Sequence, residues 1–126
     1  MSARILVVDD EEPVSSMLKV VLEANGYTVV TSPSAADAVR LLAAEPFEVV
    51  LTDMRMESDR AGYEVVRAAR ARPDPPGVVI ITAYPLLAHD WRAAGADAAM
   101  SKPTQMTQLL EVVDELVQKR RDGGSQ

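Results

Sequence analysis

Arg4-Ile5-Leu6-Val7-Val8-Asp9-Asp10-Glu11 is the stretch on which the fold turns, because an unbroken apolar run leads straight into paired carboxylates. A strand wetted on one face alternates apolar and polar side chains, whereas a strand covered on both faces is apolar throughout. Arg4 to Asp9 therefore reads as a central strand whose end is marked by acid. Glu48 to Asp53 and Gly77 to Thr82 have the same character, and two weaker runs, Thr28 to Thr31 and Ala98 to Ser101, bring the strands to five.

Helical periodicity fills the intervals. Val14, Met17, Leu18, Val21 and Leu22 recur at helical spacing, after Glu12-Pro13 in the first turn and before Asn25-Gly26 as a stop. Ser34 suits the N-cap of a second helix running to Glu45 and closed by Pro46. A third covers Tyr63 to Ala71 before the turn at Arg72-Pro73-Asp74-Pro75-Pro76-Gly77, and a short fourth lies in Leu86 to Ala94, ended by Gly95. The fifth carries Met106, Leu109, Leu110, Val113, Leu116 and Val117. Five strand–helix units predict an α/β domain with an open parallel sheet and helices on both faces. The domain is placed at residues 1–121 and a flexible tail at 122–126.

With 126 residues and 48% apolar content, one domain can close its core unaided. Cysteine is absent and His89 is the only histidine, so thiolate chemistry, disulfides, Cys-containing metal sites and any His cluster are excluded. The apolar runs are far shorter than the roughly 20 residues of a membrane span, and Met1 to Asp10 is too short and acidic for a signal peptide. A formal charge of −6 opposes a phosphate backbone. A cytoplasmic protein with no direct nucleic-acid or membrane partner is expected.

Ligands of open parallel sheets sit outside the carboxyl ends of the strands. There the sequence sets Asp9 and Asp10, Asp53, Thr82, and Lys102 followed by Pro103. Three carboxylates in one crevice repel each other unless a cation neutralises them, and an all-oxygen donor set suits Mg²⁺ or Mn²⁺. Mg²⁺ takes only one or two carboxylates, which frees one as a nucleophile. Lys102 and Thr82 offer a positive charge and a hydroxyl donor to the oxygens of a transferring phosphoryl group. Together these residues read as an aspartyl-phosphate site.

The run Ile5 to Glu11, Asp53 with Met56 three positions on, Thr82-Ala83 and Lys102-Pro103 resemble the receiver domain of bacterial two-component response regulators, over about residues 4 to 118. The resemblance implies a flavodoxin-like sheet of order 2-1-3-4-5, with Asp53 phosphorylated by a phosphohistidine of a sensor kinase or histidine phosphotransfer protein. It further implies Mg²⁺ held by Asp10 and Asp53 directly, by Asp9 largely through water and by the backbone carbonyl of Arg55. Thr82 and Lys102 would meet the phosphoryl oxygens, the Lys102–Pro103 peptide would be cis, and the phosphorylated state would switch binding of an output protein. Two other readings are a receiver that acts as a phosphorylation-independent interaction module and a Mg²⁺-dependent aspartate-nucleophile phosphatase. The phosphatase class usually has a second acid two residues after its nucleophile, where this chain has Arg55.

Three departures from the family pattern stand out. After Asp53 the usual Met-Pro is replaced by Met56-Glu57, and an extra residue precedes Gly62. The interval from Thr82 to Gly95 is shortened and contains Pro85. Where the family usually has an aromatic switch residue, three positions before Lys102, the chain has Ala99. Tyr84 is the expected substitute, and with Arg55 it is expected to obstruct the hydrolytic water and prolong the phosphorylated state. Arg55 and Glu57 are otherwise read as loop residues that shape access.

Overall fold

Alternation of side chains along the strands divides the core into two layers. In the computed structural model, which describes residues 3–83 and 88–124, β1 (Arg4–Val8), β2 (Thr28–Ser32), β3 (Val49–Asp53), β4 (Gly77–Thr82) and β5 (Ala98–Ser101) form one sheet. All pairings are parallel and the order is β2-β1-β3-β4-β5. The helices are α1 (Glu12–Ala24), α2 (Ala35–Ala44), α3 (Ala61–Arg70), α4 (Ala88–Ala94) and α5 (Met106–Gly124).

Ile5, Val7, Val49, Leu51, Val79, Ile81 and Met100 pack with Leu18 and Leu22 of α1 and with Leu109, Val113 and Val117 of α5. Their sequence neighbours Leu6, Val8, Val50, Val78 and Ile80 point the other way, to Leu41 and Leu42 of α2 and Val65 and Val66 of α3. Continuous apolar strands are thus needed because both faces are covered. Gly26 and Gly95 follow α1 and α4 with φ of +93° and +105°, the left-handed conformation in which glycine ends a helix without steric cost.

Boundaries differ from the sequence reading where polar contacts intervene. α3 starts at Ala61 rather than Tyr63, because Ala61 and Gly62 are buried against the end of β3 and the Gly62 N–H donates to the Met54 carbonyl at 2.8 Å. α5 runs to Gly124, past the residue 122 at which a tail was expected, and Gln118 donates to Asp122 one turn on at 3.0 Å. Residues 84–87 hold the start of the expected fourth helix and lie outside the described residues.

Candidate functional site

Register brings the acids together. Val8 of β1 pairs with Thr52 of β3, so Asp9 and Asp53 follow side by side at the carboxyl ends of adjacent strands. By the same alternation that sorts the core, Asp9 continues the set of Ile5 and Val7, and Asp53 that of Val49 and Leu51, so both lean to the α1/α5 side. Lys102 follows β5, and its Nζ lies 3.0 Å from Asp9 Oδ2, 3.2 Å from Asp53 Oδ2 and 3.7 Å from Glu11 Oε1. The Lys102–Pro103 peptide is cis.

Backbone groups hold the remaining oxygens. Asp9 Oδ1 accepts the Glu11 N–H at 2.9 Å and Asp53 Oδ1 accepts the Met54 N–H at 2.8 Å. Each carboxylate thus has one oxygen fixed by main chain and the other turned to Lys102. Oxygens of Asp9, Asp10, Glu11 and Asp53 all lie within 4.8 Å of one another. Asp9 and Asp53 are buried while Asp10 and Glu11 are exposed at the mouth. Glu11 was not singled out from the sequence; its place directly after the acidic pair and at the N-cap of α1 was the available signal.

A cavity of about 450 Å³ opens here, lined by Asp10, Glu11, Asp53, Arg55, Asp59 and Lys102 among others. An oxygen-only donor set of this kind fits a hard divalent cation such as Mg²⁺. A larger cavity of about 650 Å³ lies elsewhere, lined by Arg4, Phe47, Arg120 and Arg121 among others. There Arg4 is paired with Glu45, Arg120 with Asp74 and Arg121 with Glu48, so it lacks the convergent acids of the strand-end site.

Electrostatics follow from burial. Removal from water pushes the Asp53 carboxyl above its ordinary value, an effect that Lys102 opposes and the Asp9 charge reinforces. Burial pulls Lys102 down, but its hydrogen bond and charge attraction with Asp9, then with Asp53, outweigh this and its pKa is raised. A carboxyl whose folded pKa exceeds its unfolded one costs stability once it ionises. The cost grows as pH rises from the unfolded value through the folded one, then stays constant. Asp53→Asn removes it, and Lys102 keeps Asp9 at 3.0 Å. In chelator at neutral pH the variant is expected to melt about 2–4 °C higher than wild type, with the gain vanishing below the carboxylate range. A lower melting temperature by calorimetry would contradict the crowded-acid picture.

Thr82 is buried at the end of β4, one residue beyond the Ile81 that pairs with Asp53, and the next residue, Ala83, lines the cavity. Ala99 on β5 pairs with Ile80 and is half-buried, packed with Trp91 and Ala94 of α4 against the α2/α3 layer. Tyr84 lies outside the described residues. Arg55 is exposed and pairs with Asp59 at 2.9 Å on the cavity wall. Glu57 departs from the sequence reading. Its two oxygens accept the Ala35 and Ala36 N–H groups, at 2.9 and 3.1 Å, at the start of α2. Burial raises its pKa, but these bonds reverse the shift and leave it lowered.

Residues 5–114 match the family described as response regulator receiver domain. The chain is 32% identical to the alginate biosynthesis transcriptional regulatory protein AlgB of Pseudomonas aeruginosa, over 95% of this chain and 30% of that protein. It is 31% identical to the response regulator MprA of Mycobacterium ulcerans, over 96% of this chain and 53% of that one. The chain therefore spans about a third to a half of these relatives. A receiver domain protein from Methanospirillum hungatei superposes with a TM-score of 0.89 at 27% identity, covering 98% of this chain and 99% of that one. The response regulator TrrA of Thermotoga maritima, solved in complex with Mg²⁺-BeF, gives 0.80 at 29% identity, covering 92% and 99%.

Proposed function

Since this chain belongs to the response regulator receiver domain family, we propose that Asp53 is its phosphoacceptor, charged from a phosphohistidine donor with the help of Mg²⁺, and that the charged state alters binding of an output protein. The observation that carries this reading is Lys102 Nζ lying 3.0 Å from Asp9 and 3.2 Å from Asp53 beside a four-carboxylate oxygen cluster. An ammonium so placed lowers the repulsion between an anionic nucleophile and an incoming phosphoryl group.

In the proposed step an Asp53 carboxylate oxygen attacks phosphorus in line, the P–O bond forms and the P–N bond to the donor imidazole breaks. The electron pair of that bond stays on the imidazole nitrogen. Asp9, Asp10, Asp53 and the Arg55 carbonyl would hold the cation, which supplies charge neutralisation of the phosphoryl oxygens when bound. Lys102 then exchanges Asp53 for a phosphoryl oxygen while keeping Asp9, and Thr82 donates its hydroxyl to another. Receiver domains are signalling domains, and the likeness to TrrA, solved with Mg²⁺-BeF, supports the same ligand here.

Acetyl phosphate with Mg²⁺ is expected to add one phosphoryl group to the wild-type chain and none to Asp53→Asn, read by intact-protein mass spectrometry. A wild-type chain that stays unmodified and also fails to take up beryllofluoride would favour the phosphorylation-independent interaction module instead, a reading to which Ala99 in the switch position already leans.

A further inference from the structure

The segment between Asp53 and Ala61 forms one wall of the acidic cavity through Arg55, Met56 and Asp59. Without proline it has no fixed φ to stiffen it. Local bonds shape it: Met56 N–H to the Ser58 carbonyl at 3.1 Å and Arg55 to Asp59 at 2.9 Å. These bonds lie within the segment, while Met54 is buried with its carbonyl accepting the Gly62 N–H at 2.8 Å and Met56 packs against the α2/α3 core layer. The segment is thus anchored at its base, and its outer part at Glu57 is held by a separate contact.

Glu57 supplies a tie across to another element. The first amides of a helix have no partner within it, and the partial positive charge there favours a carboxylate. At α2 the Ala35 and Ala36 N–H groups go to Glu57 Oε1 and Oε2, the Asp37 N–H to Ser34 Oγ at 3.1 Å and the Ala38 N–H to the Ser34 carbonyl at 3.0 Å. All four amides are satisfied, two of them by a residue 21 or 22 positions away. The end of β2, from which the chain passes into α2, supports the site from the other side, because the carbonyl of its last residue, Ser32, accepts the Asp9 N–H at 3.0 Å. Glu57 therefore joins the wall that carries Arg55 to the start of α2, just beyond the β2 end whose carbonyl holds the Asp9 N–H.

Resting on the phosphoacceptor reading, we infer that Glu57 is a positioning residue for the cation site: its two-pronged bond to α2 sets the Arg55 side of the acidic cavity against the Asp9 side. A bidentate carboxylate resists both sliding and rotation, which one hydrogen bond does not. Partners behind a metal's own ligands commonly change affinity tenfold or more when removed.

The test compares Glu57→Ala, Glu57→Gln and Ser34→Ala. Ser34→Ala removes a bond from the same helix start without touching the loop, so both alanine variants are expected to lower the melting temperature in chelator by about 4 °C. Mg²⁺ affinity, measured by calorimetric titration, is expected to fall about tenfold in Glu57→Ala only. Glu57→Gln, which keeps one acceptor oxygen, is expected to recover part of that loss. Beryllofluoride uptake should follow the same order. Equal Mg²⁺ affinity in Glu57→Ala and wild type, or an equal loss in Ser34→Ala, overturns the inference while wild-type binding leaves the phosphoacceptor reading standing. A wild-type chain that takes up neither Mg²⁺ nor beryllofluoride defeats the underlying reading instead.

Discussion

Asp10→Ala is expected to abolish measurable Mg²⁺ binding and to slow phosphorylation of Asp53 by acetyl phosphate about a hundredfold or more, equivalent to about 2.7 kcal/mol of barrier. Asp10 is the exposed member of the strand-end pair, whereas Asp9 is occupied by Lys102 and by the Glu11 N–H. It is therefore the acid free to take a direct place on a hydrated cation, which typically accepts only one or two carboxylates. Removing it also relieves repulsion in the cluster, so the melting temperature in chelator should hold or rise. That combination, a stable fold with a silent site, separates loss of the cation from loss of structure. Wild-type phosphorylation rates in Asp10→Ala would show that the site works without this ligand.

Gly62→Ala is expected to cost about 3 kcal/mol, or about 10 °C in melting temperature, and to slow phosphorylation as well. A Cβ at Gly62 would sit 2.6 Å from the Asp53 carbonyl oxygen and 2.8 Å from Met54 Cα. Both are backbone atoms and neither can swing aside. The start of α3 would have to lift from the end of β3, straining the 2.8 Å bond from Gly62 N–H to the Met54 carbonyl and moving the peptide that carries Asp53. Gly26→Ala is the contrasting case. Nothing lies within 4 Å of its added Cβ, and only its φ of +93° is unfavourable. A smaller loss, about 1 kcal/mol, with unchanged phosphorylation is expected there. Equal effects of the two substitutions would show that the close approach at Gly62 does not matter to the site.

Residue type and local period were enough for the strand–helix alternation and for the acids, hydroxyl and lysine at the strand ends. A strand buried on both faces must be apolar, so Ile5 to Val8 and Val49 to Leu51 declare themselves, and the first carboxylate after each run falls at a carboxyl edge. Glycine and proline stops at Asn25-Gly26, Pro46 and Gly95 were equally legible, because backbone restriction is a property of the residue itself. What the tertiary structure alone decided are pairings between segments that no period links. Lys102 reaches Asp9 and Asp53 across 93 and 49 residues. Glu57 reaches from its loop to hold α2, and the second residue of α3 is Gly62 because the end of β3 passes too close for a side chain. A loop carboxylate shows its chemistry in the sequence but not its partner, because the partner depends on the path of the loop through space. Long-range hydrogen bonding sets that path, and it leaves no local repeat in the chain.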